Sequence, residues 1–155
     1  VIKICLLLLC CTFPVWGGEA SFEPPEGWKK MDAKNLSPTV KMGFHTKSKK
    51  GLPPSLNLAV ESVNVSIADY LKAVKNIYEK GKQCRWRDIG TIKTRAGEAR
   101  LTEVDIQGKL GSVRLLQMIF LQDGHAYVVT GTALKEEFSG LYTTFQSAFQ
   151  SFELE

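Results

Sequence analysis

The sequence predicts an α+β protein of three layers, α/β/α. A central, mainly antiparallel sheet of about six to seven strands carries one helix on each face. Three observations predict it. First, residues 118–133, MIFLQDGHAYVVTGTA, read as a hairpin about Asp123-Gly124, a strong two-residue turn signal. Second, the arms of that hairpin are apolar on both faces: Ile119 and Leu121 lie opposite Met118 and Phe120, and Tyr127 and Val129 opposite Ala126 and Val128. Third, two segments place apolar residues at helical spacing, so each needs an apolar surface to cover. One helix on each side of the sheet satisfies both needs at once.

The chain has 155 residues, 44% of them apolar and 23% charged. That is the size and composition of one globular domain, long enough to bury a core without disulfide or metal staples. A net charge of +4 is too weak to imply a nucleic-acid partner.

The first twenty residues read as a signal peptide. Lys3 supplies a short basic start, and Ile4 to Trp16 is almost wholly apolar but too short to span a bilayer. Small Gly18 and Ala20 favour cleavage after Ala20, with Gly17 or Gly18 as alternative sites. The single domain then covers residues 21–155. Cys5, Cys10 and Cys11 fall in the leader, leaving Cys84 as a free thiol without an intramolecular partner. Leu9 before Cys10, and Cys10 before Cys11, argue against a lipid-attachment cysteine, since such a cysteine usually follows a small residue; the lipoprotein remains the alternative.

Residues 21–26 form a Pro-containing lead-in before Gly27-Trp28. Val40, Met42 and Phe44 alternate with Lys41, Gly43 and His45, a half-buried strand. Lys47 to Pro54 is a loop by charge, Gly and Pro content. Leu56, Leu58 and Val60 alternate with Asn57, Ala59 and Glu61 in a second strand. Ser66, with Asp69 three residues on, starts the first helix as in a capping box. Its stripe is Ile67, Tyr70, Leu71, Val74, Ile77 and Tyr78, and Gly81 stops it. A strand over 86–94, a turn at 96–98 and a strand over 100–106 follow. The phase of the latter slips between Leu101 and Val104, which predicts a bulge. Strands 113–121 and 126–133 make the central hairpin. The last helix starts near Lys135, with Phe138, Leu141, Tyr142, Phe145, Phe149 and Phe152 as its stripe.

This order of elements resembles the PsbP/DcrB-like family, whose fold PsbP, the Ran-binding Mog factor and bacterial DcrB-like envelope proteins share. The resemblance rests on Pro25-Glu-Gly-Trp28, on Leu56-Asn-Leu-Ala-Val60 leading into Ser66-Ile-Ala-Asp-Tyr-Leu71, and on Ala126-Tyr-Val-Val-Thr-Gly-Thr-Ala133 followed by Phe149-Gln-Ser-Phe152. It covers residues 24–153. A secretory leader suits the bacterial envelope branch. What that branch implies is binding and envelope support in the periplasm, with no shared catalytic centre, cofactor or metal.

A search for chemistry leads the same way. His45 and His125 have no Cys or carboxylate at ligand spacing. Ser139-Gly140 lacks the upstream Gly-x of a nucleophile elbow, and Gly108-Lys-Leu-Gly111 reads as a turn. Glu103 and Asp105 share one strand face, where two acids are usually solvated. Cys84-Arg-Trp-Arg87 is the most unusual stretch. Arg85, Trp86 and Arg87 are the candidate partner-binding residues, against a core Trp flanked by exposed arginines. Residues 80–100 carry seven basic and two acidic side chains, and residues 101–155 three basic and seven acidic. The basic stretch and the Lys47–Lys50 loop suit an anionic membrane surface, or are ordinary solubility charge. The expectation is an exported, non-enzymatic protein that binds an envelope protein or an apolar segment of a protein partner. The alternative is a small-ligand binder or enzyme with a pocket between sheet and helix.

Overall fold

A computed structural model describes residues 19–155 apart from Lys49 and Leu110. Residues 1–18 of the expected leader, including Cys5, Cys10 and Cys11, lie outside the described residues, whereas Glu19 and Ala20 are described. In chain order the elements are β1 (Ala20–Ser21), β2 (Lys29–Lys30), a short 3-10 turn (Ala33–Asn35), β3 (Val40–His45), β4 (Ser55–Ser62), α1 (Ile67–Glu79), β5 (Cys84–Thr94), β6 (Gly97–Gly108), β7 (Gly111–Gln122), β8 (His125–Leu134), α2 (Lys135–Gln150) and β9 (Glu153–Leu154). Seven strands form one sheet in the order β2-β3-β4-β8-β7-β6-β5, and every neighbouring pair is antiparallel. β1 pairs with β9 in a separate two-stranded ribbon.

The connections explain the order. β5 to β8 run as a meander, and β8 returns to lie beside β4. The β7–β8 turn places Asp123 at φ 49° and Gly124 at φ 72°, the positive angles that a tight two-residue hairpin turn demands. Gln122 and His125 close it as a pair. α1 carries the chain from β4, in mid-sheet, to β5, at the edge.

The two faces have different covers. Phe138, Phe145, Ala148, Phe149 and Phe152 pack on Leu56, Leu58, Leu116, Met118, Tyr127 and Val129. On the opposite face Tyr70, Leu71, Val74 and Tyr78 of α1 pack on Val104, Val113, Leu115, Ile119, Ala126 and Val128. The hairpin is therefore covered on both sides, as its two apolar faces require. Gly131 lets α2 approach: a Cβ there would sit 2.6 Å from Phe145 Cδ1. At the start of α1, the Ser66 hydroxyl accepts from Asp69 N at 3.1 Å and donates to Asp69 Oδ2 at 2.8 Å. Asp69 thus holds the Ser66 side chain, where a longer Glu could reach back to the backbone N–H.

Two strand expectations need correction. β6 pairs with β7 in unbroken register; the irregularity lies on its other neighbour, between Asp88 and Gly90 of β5. The apparent phase slip between Leu101 and Val104 arises because all residues from 101 to 105 are buried, polar Thr102, Glu103 and Asp105 among them. Glu103 and Asp105 are not solvated either. They are 7% and 9% exposed and lie within an ion-pair network.

Candidate functional site

α1 does not cover its whole face of the sheet. Beside it lies a cavity of about 400 Å³, a size typical of small-molecule sites. Its floor is made by β4, β8 and β7; Tyr78 of α1, the 37–40 segment and Leu52 form walls. Val113, Leu115, Val128 and Ile106 supply an aliphatic floor, while Ser55, Asn57, Gln117, Thr130 and Thr132 supply hydroxyls and amides.

The polar groups are ordered by the ladder. Asn57 pairs with Thr130, Thr130 with Gln117, and Gln117 with Thr102. Residues directly opposite in a sheet share a face, so these four form a polar row across β4, β8, β7 and β6. Gln117 is 6% exposed. Its Nε2 donates to Thr130 Oγ1 at 3.4 Å, while its buried Oε1 has no protein partner. Thr102, fully buried, has an unpartnered Oγ1. The great majority of buried polar side-chain atoms in folded proteins are hydrogen-bonded, so two such atoms at adjacent positions are unusual.

Glu61 lines the cavity too. Burial raises its pKa, and the hydroxyl of Tyr70, which donates to Oε2 at 3.1 Å, acts against that. Burial also pushes the Tyr78 phenol up to about 12, with the Gln117 amide beside it acting in the opposite direction. Both tyrosines are thus neutral donors at neutral pH; burial and Glu61 raise Tyr70 as well.

The sequence-derived candidates lie elsewhere. Cys84 and Trp86 are half-buried against the α1-side cluster. Arg85 is exposed. Arg87 points to the other face, where it pairs with Glu103 and lies 3.9 Å from Asp105. There Asp105 accepts from Arg114 Nε at 2.6 Å and from Lys135 Nζ at 2.9 Å, and the Arg114 guanidinium stacks 5.5 Å from the Phe138 ring centre. Two other basic residues of the 80–100 stretch are paired, Arg95 with Glu23 and Arg100 with Asp88. Lys50 pairs with Glu136. Cys84 is a free thiol. Among the described residues, no group of three or more His, Cys, Asp or Glu is placed to hold a metal, and no helix is long and apolar enough to cross a membrane.

The sequence offers a pocket between sheet and helix only as the alternative and names none of its lining, but a signal was present. Gln117 interrupts the apolar phase Val113, Leu115, Ile119, Leu121, and Thr130 interrupts Ala126, Val128, Leu134. Polar residues at apolar positions of central strands mark either a paired network or a site.

No protein-family model and no curated protein sequence matches the chain. Solved structures do. LpqN of Mycobacterium tuberculosis, described as involved in cell envelope biogenesis, aligns with a TM-score of 0.63 at 13% identity over 88% of this chain and 84% of LpqN. Cyanobacterial PsbP from Synechocystis aligns at 0.54 and 13% identity over 96% and 99%. The Ran-binding protein Mog1p of Saccharomyces cerevisiae aligns at 0.57 and 14% identity over 87% and 89%. At such identities the likeness is one of architecture, and the architecture of this chain is the PsbP/Mog/DcrB-like fold.

Proposed function

We propose that this chain is an exported, non-enzymatic binding protein of the cell envelope, and that its binding site is the cavity beside α1. The observation that carries the reading is the cavity itself, where hydroxyls and amides from three adjacent strands meet over an aliphatic floor. Among the described residues its lining holds one carboxylate, Glu61, with no second acid, histidine or thiol beside it, which favours holding a molecule over transforming one. Export is supported by the apolar 4–16 stretch and by the likeness to a protein of envelope biogenesis. Native mass spectrometry of the protein recovered from its own envelope tests this. A bound small molecule is expected on the wild type and not on Ala59→Phe, which fills the cavity from β4. Retention of the molecule by Ala59→Phe would place the site elsewhere.

A protein partner remains the second reading, favoured by one observation. On the outermost long strand, β5, Ile89 is 41% exposed and sits between Arg85 and Lys93. Loss of a co-purifying envelope protein on Ile89→Asp, with Ala59→Phe unaffected, would select it.

A further inference from the structure

We infer that the cavity binds an uncharged amphiphile: an aliphatic portion on the floor, and a head group bearing hydroxyl or amide donors over the Asn57–Thr130–Gln117 row. The inference rests on the cavity being the binding site and adds what the site selects.

Charge decides first. Among the described residues, no lysine, arginine or histidine lines the cavity, and the one carboxylate is Glu61. A phosphate, sulfate or carboxylate head would be desolvated with no counter-charge and would face a like charge, a costly arrangement. Donor and acceptor balance decides next. Gln117 gives one of its two amide N–H groups to Thr130 and has Tyr78 beside the amide, while its carbonyl oxygen is buried without a partner. A buried acceptor of that kind gains from being satisfied. The complement is a donor, hydroxyl or N–H. A quaternary ammonium has none. The row continues to Asn57, so head-group contacts can repeat across strands at the sheet spacing of about 4.8 Å. Shape and polarity decide the rest. Val113, Leu115, Val128, Ile106 and Leu52 are aliphatic, and Tyr78 is the single aromatic ring in the lining. An alkyl or branched aliphatic body fits this better than a stacked aromatic one.

Three probes with the same tail test the inference by titration calorimetry, each below its critical micelle concentration: monooctanoylglycerol, octyl sulfate and octyltrimethylammonium. Monooctanoylglycerol is expected to bind at least about tenfold more tightly than either charged probe, one decade being about 1.4 kcal/mol. Gln117→Leu is expected to erase about that decade while leaving the thermal midpoint equal or higher, because it removes a buried carbonyl without a partner and only one long hydrogen bond, and puts a side chain of similar size in its place. A purely structural Gln117 would give the opposite pattern, a lower midpoint with unchanged affinity, and would overturn the inference. So would octyl sulfate or octyltrimethylammonium binding as tightly as the glyceride. If all three bind equally and Ala59→Phe abolishes all three, the head-group inference fails and the cavity survives as the site. If none binds, both fail.

Discussion

Asp105 accepts hydrogen bonds from Arg114 Nε and Nη2, at 2.6 and 2.9 Å, and from Lys135 Nζ at 2.9 Å. The Arg114 bonds, helped by Lys135, hold its pKa at about 2 against the opposing effect of burial. An acid with a depressed folded pKa stabilises the fold above its unfolded value of about 3.9 and loses that contribution as pH falls toward 2. The urea midpoint of the wild type should therefore drop between about pH 5 and pH 2, and Asp105→Asn should flatten that drop. At neutral pH the same variant leaves Arg114 and Lys135 short of a partner. It should cost about 2–3 kcal/mol. Glu61 has the opposite sign. Its raised pKa makes its contribution fully present below the ordinary carboxylate range and lost as pH rises through the folded value. Gly131 is the other residue on which packing turns. An added Cβ lies 2.6 Å from the Phe145 ring, and Phe145 is fully buried, so neither side can yield cheaply. Gly131→Ala should cost about 1–3 kcal/mol in urea unfolding.

Each helix contributes to stability through its buried stripe. Phe145 is 0% and Val74 2% exposed. Phe145→Ala should cost about 3–5 kcal/mol, a large share of a domain's total of roughly 5–15 kcal/mol. Val74→Ala should cost about 2 kcal/mol by the smaller group removed. Side-by-side urea curves measure both. A midpoint for Phe145→Ala close to wild type would mean that α2 docks outside the core. α1 has a looser fit, since Tyr78 packs on the sheet and also walls the cavity. The same helix therefore closes the core at one side and shapes the site at the other.

At the scale of the whole molecule, the segment at Glu19–Ser21 meets the C-terminal residues. Ala20 pairs with Leu154 and Ser21 with Glu153, Glu155 N donates to Glu19 O at 3.1 Å, and Phe22 is buried. Chains beginning at Glu19 and at Ser21 should both fold. The first should melt about 3 °C higher, because it keeps one more strand pair and one more backbone bond. Equal midpoints would make the ribbon decorative. The intact mass of the protein recovered from its own cells would show which N-terminus it carries.

Periodicity was enough for most of this architecture. The hairpin at Asp123-Gly124, the stripes from Ile67 to Tyr78 and from Phe138 to Phe149, and the three-layer arrangement follow from local spacing and from the need to cover two apolar faces; Phe152, expected on the last helix, is buried just beyond its end at Gln150. Order within the sheet, and the partners of each buried polar group, did not. Whether Glu103 and Asp105 meet water or Arg87, Arg114 and Lys135 depends on residues distant in sequence. Whether Asn57, Thr102, Gln117 and Thr130 are four scattered polar residues or one row depends on the registers of three strand pairings. A single strand records which side chains share a face, because that alternation is local. Which strands lie side by side, how far a helix reaches across them, and hence where a cavity remains are long-range outcomes of packing, and only the tertiary structure decides them.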